Sequence, residues 1–526
     1  MIDLGGFTIT TSEQIQIITI VVLYSLVVVA LGFYVKAKSR QGAQTKMSHF
    51  LTGGSGLSGL EVGMVSMTFG LAGGTMVSGP GLSYGVGFIS IVAIFAGIIG
   101  VFATFGNCGK KASIVGKRLG ASTIIQLMHH RFQSKRLVYV MVLGMVAFVI
   151  PKISSQLMVS AKLFTAITGG ESYLLGLLIA TAVTVIYTLS GGLKSVTRIC
   201  VFQGFLMVGV VLVIFFRQYS MVYDQFGSVQ AAYEYVAQIQ PQLLSADNWT
   251  PMYTLGMALL YGWASFGQPG ATHTALTYRS PKAFSRAIII SLVCSTFIQL
   301  ALSGSSVLTY ALNPNLTEPD YAVVYLSTTM LSGVLAGFVI IACFAAVQST
   351  VAGLLLVTAA SVCKDLYQDC FRPDASEKSV SRFNAVALTV ISVLAVIVGM
   401  YPTRFTQLLN TFSGAGLDLV FVMPLLFGLF WKGATEMGAI SCVVGGLGSY
   451  ILMYISRAVS PEFWATYLFD MHPIVPSMIL SMLLMVIVSR HTKKVPLGVC
   501  QVWFSSDYDE RFCHEYNLNG TRSGRS

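Results

Sequence analysis

Two neighbouring hydroxyls, Ser349 and Thr350, follow Ala345-Ala346-Val347-Gln348 in a run that is otherwise small and apolar. Hydroxyl oxygens in such a setting suit a hard monovalent cation, because sodium takes oxygen ligands and an interrupted helix nearby can add carbonyls. The alternative for each hydroxyl is a bond back to the carbonyl four residues earlier, which membrane helices readily make. Three ionisable residues, Glu61, Lys152 and Asp418, also lie within apolar runs. Charges in hydrocarbon are costly and mark ion or substrate pathways. Glu61 stands near the end of its run and reads as interfacial. Lys152 sits mid-run beside Pro151, too far from either end to reach water, with no acid one helical turn away. An ammonium there loses its proton or finds an anion. Its candidate internal partners are Asp418 and carbonyls freed by Pro151.

Elements that could position these groups are unusual. Leu57 to Gly81 is apolar enough to span a membrane, yet it carries Gly70, Gly73, Gly74 and Gly79-Pro80-Gly81. Tyr253 to Tyr278 is broken in the same way at Gly267-Gln268-Pro269-Gly270. Backbone unwound in lipid survives only where protein or a water-filled cavity satisfies it, and paired broken helices point to a transport site at mid-membrane. The alternative is that the glycines only allow helices to pack closely. On the first reading, substrate sits between Ala72 and Gly73 of one break and Trp263, Ser265 and Gln268 of the other.

Only 10% of the 526 residues are charged and 54% are apolar, against about 25% charged in soluble chains. The chain is expected to be an all-α polytopic membrane protein with about thirteen transmembrane helices. The first run, from near Ile15, has no basic start and no small-residue cleavage site, so it reads as a retained helix. The net charge of +11 reflects membrane orientation rather than nucleic-acid binding. Most Lys and Arg residues gather in alternate loops, which predicts the N-terminus outside and the C-terminus in the cytoplasm of a cell membrane. The loop residues His129, His130 and Arg131 read as a solvated face. Nine cysteines without a CxxC pair indicate neither a disulfide framework nor a metal site. No P-loop is present, so no ATPase partner is expected. No in-span His/Asp/Glu cluster suggests an enzyme. Setting aside the first helix and the last two leaves ten, read as five plus five, each five opened by a broken helix. The divisions are 1–50 for an extra helix and loop, 51–217 and 251–432 for the repeats, 433–490 for two further helices and 491–526 for a cytoplasmic tail.

A resemblance becomes specific at FAAVQSTVAGLLLVTAASVCKDLY (Phe344 to Tyr367). Together with IYTLSGGLKSV (Ile186 to Val196), Phe266-Gly267-Gln268-Pro269 and Pro424-Leu425-Leu426 leading to Trp431, it resembles the sodium:solute symporter family over nearly the whole chain. SGPGLSYGVG from Ser78, SPKAFSRAIII from Ser280 and HPIVPS from His472 are most similar to the pantothenate permeases of that family. The resemblance implies a leucine-transporter-like core of two inverted five-helix repeats working by alternating access. It implies a co-transported sodium ion held by carbonyls of Thr68, Leu71 and Ala346 and hydroxyls of Ser349 and Thr350. Many members carry acids where this chain has Gly70 and Cys200, so one sodium per cycle is expected. Asp418 is read as a gating or hydration residue. Lys152 is read as receiving a substrate carboxylate, or else as replacing a second cation. The expected function is sodium-coupled uptake of a small organic acid, most simply pantothenate. Proline, a short monocarboxylate and a non-transporting sensor on the same fold are the alternatives.

Overall fold

The computed structural model describes residues 9–40, 57–169, 172–274, 276, 281–403 and 406–504. The loop around Lys46 and the tail beyond 504 lie outside the described residues, which contain helices and no strand. Helix α1 (Thr11–Arg40) opens on a reciprocal cap between Thr10 and Glu13. Helix α2 (Gly59–Gly70) opens on another, with Ser58 N–H donating to Glu61 at 2.8 Å and Glu61 N–H donating back to the Ser58 hydroxyl. Glu61 is therefore a capping residue, placed where its charge also favours the helix dipole.

The chain leaves helical geometry at Leu71 (φ −90°, ψ 68°), makes a wide turn over Gly74–Ser78, and resumes as α3 (Gly79–Val86) with Pro80 in its first turn. Next come α4 (Ile91–Val101), α5 (Lys110–Leu119), α6 (Ile124–Phe132) and α7 (Lys135–Thr168), the last with Pro151 inside it. Helix α8 (Tyr173–Phe226) is two spans joined at Gly192, whose φ of 60° and ψ of −153° suit glycine alone. The stretch from Arg217 stays helical to Phe226 and then forms α9 (Val229–Ile239).

The second interrupted segment runs from α10 (Pro251–Tyr261) through a 3₁₀ turn, Trp263–Gly267, to α11 (Pro269–Thr274). It leads to α12 (Pro281–Gln299), α13 (Ser306–Leu312), α14 (Ala322–Met330) and α15 (Gly333–Ala360). Helices α16 (Glu377–Gly399), α17 (Thr406–Phe430), α18 (Glu436–Val459), α19 (Pro461–Tyr467), α20 (Ile474–His491) and α21 (Leu497–Phe504) complete the set.

Eleven helical stretches among the described residues, one of them running from the turn at Gly74 through α3 and α4 to Gly100, are long and apolar enough to cross a membrane. The thirteen expected differ only because neither broken segment counts as one continuous span. Helix α15 is buried without a break from Val339 to Ala360, and α17 from Ser413 to Leu425. Such all-round burial marks core helices. Helix α1 packs on α8 and α15, α7 on α17, and α12 on α2.

The His129–Arg131 stretch corrects the solvated reading. Arg131 has no exposed surface because its guanidinium closes the end of α17, donating Nε to Gly428 O at 2.9 Å and Nη2 to Trp431 O at 3.0 Å. Those are the carbonyls a helix terminus leaves unpaired. His130 is also buried, and burial, with His129 and Lys364 nearby, pushes its imidazole from 6.5 down to about 4.

Candidate functional site

The break after α2 lies against the middle of α15. Ser349 Oγ is 3.2 Å from Thr68 O and 3.0 Å from Ala346 O. Thr350 Oγ1 is 3.3 Å from Thr68 O and 3.1 Å from Ala346 O. Two hydroxyls thus converge on the same two carbonyls, one from each helix. All four residues are buried. Each hydroxyl has one proton and can serve one of its two carbonyls at a time. Both distances to Thr68 O exceed the usual 2.7–2.8 Å or so of an O–H···O bond. Leu71 stands at the break itself and, like Thr350, borders a cavity of about 250 Å³.

That cavity lies between the two interrupted segments. Ala72, Ser265, Gln268 and Lys152 line it, as does Gly70. Gly73 and Trp263 do not, which corrects two of the expected wall positions. Gly73 faces the packing between helices: a Cβ there would stand 2.5 Å from Val347 Cγ2 and 3.1 Å from Gln156 Oε1. Trp263 opens the 3₁₀ turn, whose tighter rotation turns Ser265 inward. The indole is left 39% exposed, edge-on to Phe266 at 5.6 Å.

Lys152 reaches the cavity from α7 and has an amide, not an acid, as its partner. Its Nζ donates to Gln268 Oε1 at 2.7 Å, and Gln268 Nε2 donates to Asp418 Oδ1 at 2.5 Å and Gly414 O at 3.1 Å. The side chain of Gln268 can bridge because its own backbone is extended (ψ 117°), at the gap between the 3₁₀ turn and α11. Asp418 is fully buried, is not among the cavity-lining residues, and its Oδ2 finds no partner among the described residues. The ammonium and carboxylate are thus joined through one amide rather than in contact.

Other polar groups carry the site but were not singled out from sequence. Behind Ser349, Gln348 accepts from Tyr24 at 3.0 Å through its side chain and from Tyr187 at 2.8 Å through its carbonyl, while Gln203 donates to Tyr24 at 2.7 Å. On the cavity wall, Tyr261 meets Thr411 at 3.0 Å and accepts from Gln407 at 2.6 Å. The signal available was an amide or phenol in an apolar helix. Beside α3, whose Gly81 lies against the Pro319–Asp320 backbone, a buried ion pair joins Lys162 to Asp320 at 2.9 Å, with Glu318 at 3.4 Å. Thr406 donates to the same carboxylate at 2.6 Å, and Ser78 lies 3.4 Å from Thr406. This network ties α7, the Pro319–Tyr321 turn, α17 and the lead into α3 together.

The chain is similar to known transporters throughout. The sodium:solute symporter family profile matches residues 50–446. The sodium/pantothenate symporter of Escherichia coli (strain K12) is 28% identical over 491 residues, 92% of this chain and 98% of that protein. The osmoregulated proline transporter of Bacillus subtilis (strain 168) is 26% identical over 488 residues, 91% of this chain and 96% of that protein. A solved structure of a Na+-coupled sialic acid symporter, in a substrate-bound outward-open state, aligns with a TM-score of 0.71 at 16% identity, covering 91% of this chain and 99% of the other. The fold is therefore the leucine-transporter-like one that the family resemblance implies. The chain belongs to the sodium:solute symporter family, a multi-pass membrane transporter rather than an enzyme, with sodium as its co-transported ion.

Proposed function

We propose that this chain takes up a small organic anion, pantothenate before others, by alternating access on a sodium gradient. The observation that carries the reading is the pairing of a neutral oxygen cage with a cationic side chain on one cavity. Thr68 O, Ala346 O, Ser349 Oγ and Thr350 Oγ1 are uncharged oxygen donors, the set that a hard monovalent cation takes, with Leu71 O at the break as the fifth. Hydroxyl-to-carbonyl distances that are long for direct hydrogen bonds fit oxygens spread to hold an ion between them.

Lys152 receives the substrate's carboxylate. An anion entering the cavity meets the ammonium on the side that Gln268 does not occupy, and a charge-assisted bond formed out of bulk water is among the stronger ones available. Gly70 and Cys200 stand where many family members have acids, so this chain lacks two charges that would repel an anion and that could hold a second cation. One sodium per cycle follows. Asp418, removed from the cavity wall, acts through Gln268 on Lys152 rather than by touching solute.

The division into repeats at 51–217 and 251–432 and the N-outside, C-cytoplasmic topology are part of the same reading, the latter from the loop charges. A second reading, proline or a short monocarboxylate as solute, is favoured by the similarity to a proline transporter over nearly the same length. Uptake into vesicles, with and without an inward sodium gradient, tests both. Pantothenate, proline and short monocarboxylates compete for one labelled solute. Sodium-driven pantothenate uptake that proline does not compete with supports the proposal; preferred proline transport replaces it with the second reading.

A further inference from the structure

Helices α17 and α20 end side by side, and their last turns enclose a second hollow of about 380 Å³ walled by Leu426, Phe427, Phe430, Trp431 and Val486. Arg490 also borders it. Any apolar hollow on a membrane bundle meets acyl chains, but two observations set this one apart. The first is support from behind. Fully buried Arg131 holds the carbonyls of Gly428 and Trp431, so the turn that presents Phe430 and Trp431 is fixed, and Phe427 meets the indole edge-on at 5.5 Å. A surface that only faces fluid lipid needs no such bracing.

The second is charge. Arg490 is exposed and makes no ion pair among the described residues. Lys111 Nζ stands 4.9 Å from the centre of the Phe430 ring, and Lys432 follows Trp431 in the chain. Glu436 accepts from the Ser134 hydroxyl at 2.7 Å and is not paired with Arg490. One arginine in the lining, a lysine against the Phe430 ring and a lysine next along the chain therefore put positive charge beside an apolar slot that includes an indole, a residue type common at the membrane–water boundary.

We propose that this hollow is a binding site for one anionic glycerophospholipid of the leaflet at the C-terminal ends of α17 and α20. An acyl chain lies against Phe427 and Trp431, the phosphate meets Arg490, and Lys432 and Lys111 add to the field. A zwitterionic lipid offers the same chain, but its own ammonium offsets the phosphate. Each basic residue near an anionic surface adds about fivefold to affinity.

The test uses the full chain in phosphatidylcholine nanodiscs doped with phosphatidylglycerol or phosphatidylcholine brominated in the acyl chains, at equal mole fractions. Bromine quenches nearby tryptophan fluorescence. With five tryptophans in the chain, the difference from Trp431→Phe isolates the component at this site. Brominated phosphatidylglycerol is expected to quench that component at lower mole fraction than brominated phosphatidylcholine. Arg490→Gln should weaken the preference about fivefold, and Arg490→Lys should retain it. Equal quenching by the two lipids means acyl filling only and overturns the proposal, as does an undiminished preference in Arg490→Gln.

Discussion

At the scale of single residues, Ser349 and Thr350 separate a cation cage from two back-bonded hydroxyls. A ligand oxygen facing a charge contributes about 1.5–3 kcal/mol, so Ser349→Ala or Thr350→Ala should raise the sodium concentration for half-maximal uptake roughly tenfold to a hundredfold. Thr350→Ser keeps the oxygen and should be mild. Unchanged sodium dependence in both alanine variants would sink the cage. Lys152→Gln should raise the half-saturating substrate concentration by at least about tenfold, as expected for a lost charge-assisted bond. Lys152→Arg should do so less, and sodium half-saturation at saturating solute should hardly move. If instead the ion-to-solute ratio changes while substrate affinity holds, Lys152 stands in for a cation. The hydroxyls were legible through the family resemblance, since a Ser-Thr pair alone reads as easily as two hydroxyls bonded back to Ala346 O. The partner of Lys152 was not legible, because Gln268 comes from a distant break and an amide carries no charge to advertise it.

At the scale of elements, both interruptions could be read from glycine and proline placement, but the faces beyond them could not. A face extrapolated at α-helical rotation goes wrong once the chain turns through Leu71 or enters the 3₁₀ turn at Trp263. That is why Gly73 and Trp263 were assigned to the cavity wall. Their neighbours in the structure give a sharper contrast. Gly73→Leu should abolish uptake by unpacking α2 from α15, with a lower melting temperature in detergent. Ala72→Phe, which fills the cavity, should abolish uptake with the melting temperature nearly unchanged. Equal melting of the two variants would mean that Gly73 faces space rather than Val347. Arg131 failed in sequence for a related reason: nothing local says that an arginine in a loop will close the end of a helix far along the chain.

At the scale of the whole molecule, membrane character and the number of spans followed from hydropathy, whereas the network around Lys162 and Asp320 did not, since it depends on four distant segments meeting. Lys162 keeps Glu318 at 3.4 Å when Asp320 is lost, so the cost falls short of the roughly 3–5 kcal/mol of stranding a buried charge, but the 2.9 Å contact still weights the molecule toward this arrangement. Asp320→Asn should shift it the other way, and a cysteine at Ser83, which lines the cavity near α3, should then react faster with an impermeant thiol reagent added from that side. An unaltered rate would show that the pair does not hold the cavity shut. The Gln268 bridge has a different kind of consequence. A carboxamide is nearly the same shape end for end, so its oxygen and nitrogen can trade places without moving a neighbour. Its polarity is nevertheless fixed from outside the pair, because a half-turn about the last bond would set the Gln268 oxygen against Gly414 O, which now accepts from Nε2 at 3.1 Å. A reciprocal exchange, Lys152→Asp with Asp418→Lys, should therefore fail to recover folded protein that each single exchange loses, since a backbone carbonyl decides which end of the amide faces which charge.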